Sequence, residues 1–460
     1  MQFYNQLKRQ KQEFIPITAG EVKIYACGPT VYNYFHIGNA RAFITFDVLR
    51  RYLEYRGHKV VYVQNITDID DKIIIRAQEE GMPFNEFTAK YIHAFQEDCA
   101  ALGIKPPSYQ PRASEVISDI IDAIQLQIKK GYAYELNGDV YFDTSALPEY
   151  GMLSGKKTED LLPGARVEEN TLKKHPADFA LWKRSKPGEP FWDSPWGQGR
   201  PGWHTECVVM SRKYLGETFD IHAGGIDLLF PHHENELAQA LAMSGKLLAN
   251  YWLYNGFLNI EGEKMSKSLD NFFTARDILH QYSAEAIRFF FLSKHYRSPI
   301  DFSREIIDES ERAVNNFYSA LKSVNYLKIV AQPNDSYATQ EEAFIQAMDD
   351  DMNTAKAIAV LFELTHQCKN VNLPYSEREQ AALMLVKLGE VLGFFQNLSD
   401  RLKETLPELS QELIQLLINY REQARREKNW ALADQIREDL ISLGIELRDT
   451  TEGCIWTFKS

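Results

Sequence analysis

Two short peptides carry residue types suited to phosphate chemistry: His36-Ile37-Gly38-Asn39 and Lys264-Met265-Ser266-Lys267-Ser268. The first follows an apolar run and a Cys27-Gly28-Pro29-Thr30 break, and it opens a helical pattern. A helix start presents backbone N–H groups without intrahelical partners, at the positive end of the helix dipole, and so attracts anions. His36 and Asn39 are spaced to share one face of that helix. Gly38 has no side chain, which lets a flat ring approach the backbone. An imidazole and an amide donor aimed at one anion would stabilise charge growing on a phosphate under attack. In the second peptide, Lys264 and Lys267 flank small residues in a polar loop. Two ammonium groups there suit a triphosphate that splits, with pyrophosphate as the natural leaving group. A capped helix start and a solvated lysine loop are the plain alternatives for each peptide taken alone.

A second set of residues has metal-binding chemistry. Cys27 ends the first apolar run, and Cys207 closes Pro201-Gly202-Trp203-His204-Thr205-Glu206-Cys207. Further on comes Phe230-Pro231-His232-His233-Glu234-Asn235-Glu236. His232 and Glu236 share a face if a helix begins at Pro231. Two thiolates, an imidazole and a carboxylate make a tetrahedral zinc set. The spacing is long-range and contains no CxxC pair, so buried structural cysteines and a histidine at a helix cap are the ordinary alternative.

These residues need a scaffold. Glu21 to Ala26 reads as a strand, Ile37 to Arg56 as a helix stopped by Gly57, and Lys59 to Asn65 as a buried strand. Strand, helix, strand is a βαβ unit and implies a parallel sheet, hence an α/β fold. Asp68-Ile69-Asp70-Asp71-Lys72 then reads as a helix start with acidic residues near the positive dipole, rather than as a carboxylate metal site. From about 115 to 200 turn residues recur, which marks an insertion of short strands and loops. Regular patterning returns at Phe219 to Ala223 and Tyr251 to Ile260. After about 305 the pattern is helical, with Phe317, Leu321 and Val324 on one face. A basic cluster, Arg421, Arg425, Arg426 and Lys428, lies beside Trp430, and Gly444 to Phe458 alternates as a small β element.

Composition sets bounds. The 460 residues are 44% apolar and 25% charged, enough for more than one folded domain. No apolar run approaches the length of a membrane helix, and the first residues lack a signal-peptide form, so a cytoplasmic protein is expected. Five widely spaced cysteines do not make a disulfide framework. A net charge of −13 argues against a protein that coats nucleic acid, but leaves room for one RNA held by local basic patches.

The strand-HIGN-helix passage and the later KMSKS peptide resemble the two signatures of class I aminoacyl-tRNA synthetases. Cys-Gly-Pro-Thr-Val-Tyr before HIGN, Gly-Trp-His-x-Glu-Cys and Phe-Pro-His-His-Glu-Asn-Glu resemble the cysteinyl-tRNA synthetase family in particular, from Phe3 to the C-terminus. One departure is visible: Asn39 stands where the usual signature has a second His, and it can donate a hydrogen bond without carrying charge. The resemblance implies a Rossmann-like catalytic domain with an insertion, then an α-helical bundle and a small anticodon-binding domain. Its expected boundaries are 1–114 and 201–255 for the two catalytic halves, 115–200 for the insertion, 256–310 for the KMSKS and stem-contact region, 311–400 for the bundle and 401–460 for the anticodon-binding region.

The same resemblance implies the chemistry. ATP and L-cysteine would give cysteinyl-adenylate, and the cysteinyl group would pass to the 3′ end of a cysteine tRNA. His36, Gly38, Asn39, Lys264 and Lys267 would bind ATP, with Mg2+, and all but Gly38 would stabilise charge. Cys27, Cys207, His232 and Glu236 would hold one zinc that takes the substrate thiolate and rejects serine. Zinc prefers soft sulfur and favours the ionised thiol, which a serine hydroxyl cannot match. Thr67, Trp203, His204, His222, Asp227 and His233 would shape the amino-acid pocket, and Arg421, Arg425, Arg426 and Trp430 would contact tRNA. A monomer is the expectation. Two alternatives remain: a ligase that joins cysteine to a small amine, and a non-catalytic RNA-binding paralogue. In Lys72-Ile73-Ile74-Ile75-Arg76 the second lysine of a motif credited with persulfide formation is missing, which argues against that side activity.

Overall fold

In the computed structural model, residues 1–156, 173–260, 263–264, 273–403, 408–450 and 453–458 are described. They form two compact units, Met1–Asn397 and Leu398–Ser460. The first unit is built on the expected βαβ passage. Strand Glu21–Ala26 leads to helix Ile37–Tyr55 and then to strand Lys59–Gln64, which pairs with the first in parallel, Glu21 opposite Lys59 and Ala26 opposite Gln64. The helix buries Ile37, Phe43, Ile44, Phe46, Leu49 and Leu53, and it ends where Gly57 takes a positive φ of 85° that a side chain would disfavour.

The other two strands of this sheet come from far downstream. Phe219–Gly225 pairs in parallel on the opposite side of Glu21–Ala26, and Ala249–Asn255 pairs outside it. The chain therefore steps one way from the first strand to the second, and the other way to the third. Strand order reverses at the edge between Glu21–Ala26 and Phe219–Gly225, and in open parallel sheets the carboxyl ends at such a reversal form a crevice that takes ligands.

The insertion folds as an antiparallel sheet of Ala133–Leu136, Asp139–Phe142, Phe179–Arg184 and Gly199–Pro201. Residues within the insertion dock on the helix Glu234–Ser244: buried Glu234 accepts from the backbone N–H of Gly151 (3.0 Å) and Ser154 (2.7 Å), and Tyr150 donates to Asn235 (2.6 Å). A carboxylate with backbone donors is a strong, directional clasp, because a charge-assisted bond is about twice a neutral one.

Helices Arg304–Ser323, Ala338–Asp349, Thr354–Lys369 and Tyr375–Val391 then form a bundle around Phe317, whose ring meets Phe289, Phe362 and Phe394 at 5.0–6.2 Å between centroids. A buried ion cluster ties the bundle side to helix Ile37–Tyr55. Asp47 accepts from Arg288 and Arg51, both at 2.8 Å, and Arg288 also donates to the Leu392 carbonyl. The second unit contains helices Glu408–Arg426 and Trp430–Ser442 and a hairpin of Ile445–Thr450 with Gly453–Phe458, closed on Ile414, Ile418, Leu440 and Ile445.

Candidate metal centre and phosphate site

Three separate segments meet at the reversal of the sheet. Cys27 is the first residue past strand Glu21–Ala26, and its N–H donates to the Ala223 carbonyl of the neighbouring strand at 3.2 Å. Gly28 makes this path possible: a Cβ there would sit 1.7 Å from the Asn65 carbonyl oxygen. Asn65 in turn accepts from the Gly28 N–H (2.9 Å) and donates to Thr67 Oγ1 (3.2 Å). Cys207 lies on the inward face of helix Trp203–Leu215 and is buried. His232 and Glu236 come from the turn Leu229–His233 and the helix that continues it. His232 Nε2 stands 2.9 Å from Glu236 Oε1, the shared face that a four-residue spacing predicts.

The donor atoms of Cys27, Cys207, His232 and Glu236 all lie within 4.8 Å of one another. Ligand bonds of about 2.0–2.3 Å place tetrahedral donors at such separations, so these residues fit a zinc ion. A second set, Cys27, His222, His233 and Glu236, meets the same limit and shares two members. The two sets differ in softness, because only the first offers two thiols. The surrounding bonds differ as well. His222 Nε2 donates to Glu236 Oε2 at 2.6 Å, and its ring stacks on Trp252 at 4.5 Å. His233 Nδ1 is engaged by Tyr254 Oη at 2.8 Å, with Nε2 3.2 Å from Cys27 Sγ.

The electrostatics follow from this crowding. Burial, followed by the neighbouring Cys207, pushes the Cys27 thiol well up, and hydrogen bonding from Cys27 holds Cys207 down to about 6. One sulfur of the pair is thus ready to be a thiolate. Burial opposes ionisation of Glu236, yet the imidazoles of His222 and His232 hold it well below the usual carboxylate range. His233 and His204 are pushed well down by burial and by neighbouring imidazoles, and so stay neutral.

Around this centre the expected pocket residues are spread unevenly. Trp203 is part-exposed and stacks on His232 at 4.0 Å, with planes 15° apart. His204 Nδ1 is 2.9 Å from His232 Nδ1. Thr67 is buried at the end of the second strand, and Asp227 is exposed on the loop after the third. His222, also expected at the pocket, is fully buried behind Glu236, its strand position placing it between Tyr25 and Trp252.

The helix start next to this centre has a specific cap. His36 is the N-cap of helix Ile37–Tyr55, and its Nδ1 accepts from the Asn39 N–H at 3.3 Å. An accepting Nδ1 carries no proton, so the neutral ring keeps its proton on Nε2 as a donor. His36, Gly38 and Asn39 are part-exposed. Residues beside His36 exchange backbone bonds with those beside Thr274: the Ile37 N–H donates to Phe273 and the Ala275 N–H to Phe35, both at 3.0 Å. Of the second signature, Lys264 closes the short strand Glu263–Lys264, whereas Lys267 lies outside the described residues.

In the second unit Arg425, Arg426 and Trp430 are exposed, but Arg421 is buried, with Nη1 3.6 Å from Cys454 Sγ. The reading of Arg421 as a surface phosphate contact is therefore withdrawn. Ile414, Ile418 and Arg421 repeat at helical spacing, and that stripe is the core face. Sequence reading also passed over Asn65, which shapes the Cys27 turn, Tyr254, which holds His233, and Arg41. A charge on the apolar helix pattern that starts at Ile37 was the available signal for Arg41.

Comparisons with known proteins cover the whole chain. The family model described as tRNA synthetases class I (C) catalytic domain matches residues 13–312. A DALR domain matches 343–396, and a cysteinyl-tRNA ligase anticodon binding domain matches 406–456. A curated cysteine–tRNA ligase from Clostridioides difficile is 50% identical, over 99% of this chain and 99% of its own. Among solved structures, Mycobacterium tuberculosis methionyl-tRNA synthetase in complex with methionyl-adenylate superposes with a TM-score of 0.56 at 14% identity, covering 86% of this chain and 94% of that one. A LeuRS from Agrobacterium radiobacter in a ternary complex with tRNA and LeuAMS gives 0.58 at 11% identity, covering 86% of each. These two share the fold.

Proposed function

The chain belongs to the cysteine–tRNA ligase family of class I synthetases, a family of enzymes, and from that membership we propose how its own residues divide the work. The substrates are ATP, L-cysteine and a cysteine tRNA. In the first step a carboxylate oxygen of cysteine bonds to the α-phosphorus of ATP and pyrophosphate leaves. In the second step the terminal ribose hydroxyl of the tRNA bonds to the cysteinyl carbonyl carbon, its proton is released, and AMP leaves.

No side chain needs to attack. His36, through Nε2–H, and Asn39 donate to phosphate oxygens at the helix start, Gly38 leaves room for the nucleotide, and Lys264 and Lys267 neutralise the departing pyrophosphate, whose charge a bound Mg2+ would share. Such groups act by charge stabilisation and alignment, which supply most of the rate in a site of this kind. Cys27, Cys207, His232 and Glu236 hold a zinc ion. When bound, that ion supplies a soft acceptor for a thiolate sulfur, which a serine hydroxyl fills poorly. His222 orients Glu236, His204 orients His232, and Trp203, Thr67, Asp227 and His233 bound the amino-acid pocket. Arg425, Arg426 and Trp430 offer charge and a stacking surface for unpaired bases. The protein acts in the cytoplasm as a monomer; no described helix is long and apolar enough to cross a membrane.

The observation that carries this reading is the meeting of two thiols, an imidazole and a carboxylate at the same sheet edge as the His36-capped helix. The match of 406–456 to an anticodon binding domain disfavours a ligase that acts on a small amine. The test is cysteine-dependent exchange of labelled pyrophosphate into ATP, with serine as control, followed by charging of a cysteine tRNA transcript. Exchange with cysteine and transfer to the transcript are expected. No exchange with cysteine refutes the reading.

A further inference from the structure

Arg41 sits on helix Ile37–Tyr55, just after the His36 to Asn39 signature, and it is fully buried. Burial pulls its guanidinium down to about 10, and no acidic neighbour among the described residues offsets that. Its partners are backbone carbonyls. Nη1 donates to Gly256 (2.8 Å) and Phe257 (2.6 Å), and Nη2 to Tyr296 (3.1 Å) and Ser298 (2.5 Å).

The positions of those carbonyls give the arrangement its meaning. Gly256 and Phe257 stand just before strand Leu258–Ile260, and Tyr296 and Ser298 just before strand Ile300–Phe302. The two strands pair in parallel, and the first also pairs antiparallel with Glu263–Lys264, Asn259 opposite Lys264. One planar fork thus gathers the entries of two of the three strands of the small sheet whose third strand carries Lys264. Gly256 allows the approach, because a Cβ there would lie 2.6 Å from the Arg297 carbonyl oxygen and 2.7 Å from that of Ser298.

We propose that Arg41 is a positioning residue for the ATP step: it fixes the base of the strand pair against which Glu263–Lys264 is laid, at a set offset from the helix start carrying His36 and Asn39. This rests on the reading of those three residues as phosphate groups. A buried unpaired cation is a costly way merely to fill space, whereas the rigid fork matches four carbonyls at once. A shift at this base moves the backbone of Lys264 relative to His36 and Asn39, whereas the donors Cys27, Cys207, His232 and Glu236 stand on other segments.

The test measures cysteine-dependent pyrophosphate exchange by the full chain and by Arg41→Lys, Arg41→Met and Gly256→Ala, with KM for ATP and for cysteine, kcat, and the melting temperature. A misplacement near 1 Å costs about 10²-fold in rate, so kcat/KM for ATP is expected to fall about 10- to 100-fold in Arg41→Lys and further in Arg41→Met. KM for cysteine should stay at the native value, and Gly256→Ala should reproduce the split with Arg41 intact. Native ATP parameters in Arg41→Lys overturn the inference. So does an equal change in both KM values, or loss of a folded state in all three variants, since each describes a purely structural role. A native chain that exchanges nothing with cysteine overturns the parent reading instead, and this one with it.

Discussion

Replacing Cys207 by Ser distinguishes the two overlapping donor sets. Cys207 belongs to the set with His232 and is absent from the set with His222 and His233. The change is nearly isosteric and fully enclosed, so the helix Trp203–Leu215 should stay in place. What changes is the donor. Cys207 is held down to about 6 and is the member of the pair that ionises readily, whereas a serine hydroxyl stays protonated. Losing only an outer partner of a ligand costs about 10- to 100-fold in metal affinity, so losing a first-contact sulfur should cost at least the upper figure. At about 1.4 kcal/mol per tenfold, that is about 2.8 kcal/mol or more. Zinc content is measured by mass spectrometry after equilibration with a graded series of chelator. The native chain should hold one ion, and Cys207→Ser should release it at about a hundredth of the chelator strength. A His233→Asn chain should keep its zinc to within tenfold. Full retention in Cys207→Ser, with loss in His233→Asn, would refute the assignment and transfer the ion to the other set.

Further outcomes follow from single contacts. Asp47→Asn leaves Arg288 buried without its carboxylate and should cost about 3–5 kcal/mol, read as a lowered melting temperature. Burial opposes ionisation of Asp47, but Arg288 and Arg51 hold its pKa below the usual value. That depressed value contributes stability present above the unfolded pKa of about 3.9 and lost as pH falls through the folded one. The native chain should therefore lose stability with acid below about pH 4 by a component that Asp47→Asn lacks; parallel acid limbs would contradict this. Gly28→Ala forces a Cβ into the Asn65 carbonyl and should cost about 1–3 kcal/mol while displacing Cys27, so zinc retention should drop with melting temperature. Pyrophosphate exchange with serine should run at least about 10⁴-fold below that with cysteine, and a ratio near 10² would mean that shape alone selects the substrate.

The parts of this molecule that were legible in sequence are local. Strand Glu21–Ala26, helix Ile37–Tyr55 and strand Lys59–Gln64 follow from alternation, apolar periodicity and the Gly57 stop, and each was readable to within a residue. The Ile445–Phe458 hairpin was readable for the same reason. Non-local facts were not. Nothing between Gln64 and Phe219 says that the third strand will return to the far side of the first, yet this places Cys27 beside Ala223. His222 shows the limit from another direction. A strand residue alternates faces, and which face receives Glu236 depends on a helix that arrives later. Arg421 was misread because the nearby charges masked the Ile414, Ile418 stripe on which it falls.

The same topology brings the candidate donor set and the His36-capped helix start to one sheet edge. The reversal of strand order leaves two neighbouring carboxyl ends open, and the chain spends them differently. One end, Cys27, turns into the donor set through the Gly28 passage against Asn65. A few residues later the same crossover is capped by His36 and becomes the helix start to which phosphate binding is assigned above. The other strand end carries Gly224, where a Cβ would lie 2.9 Å from the His233 ring, so small residues there let the histidine turn close over the sheet edge. On the proposed function, the backbone of this crossover sets the offset between the groups assigned to sulfur and those assigned to phosphate. Fixed offsets of this kind convert binding into alignment, which makes the crossover Cys27 to Asn39 the part of the chain where a backbone shift should harm selection and activation together.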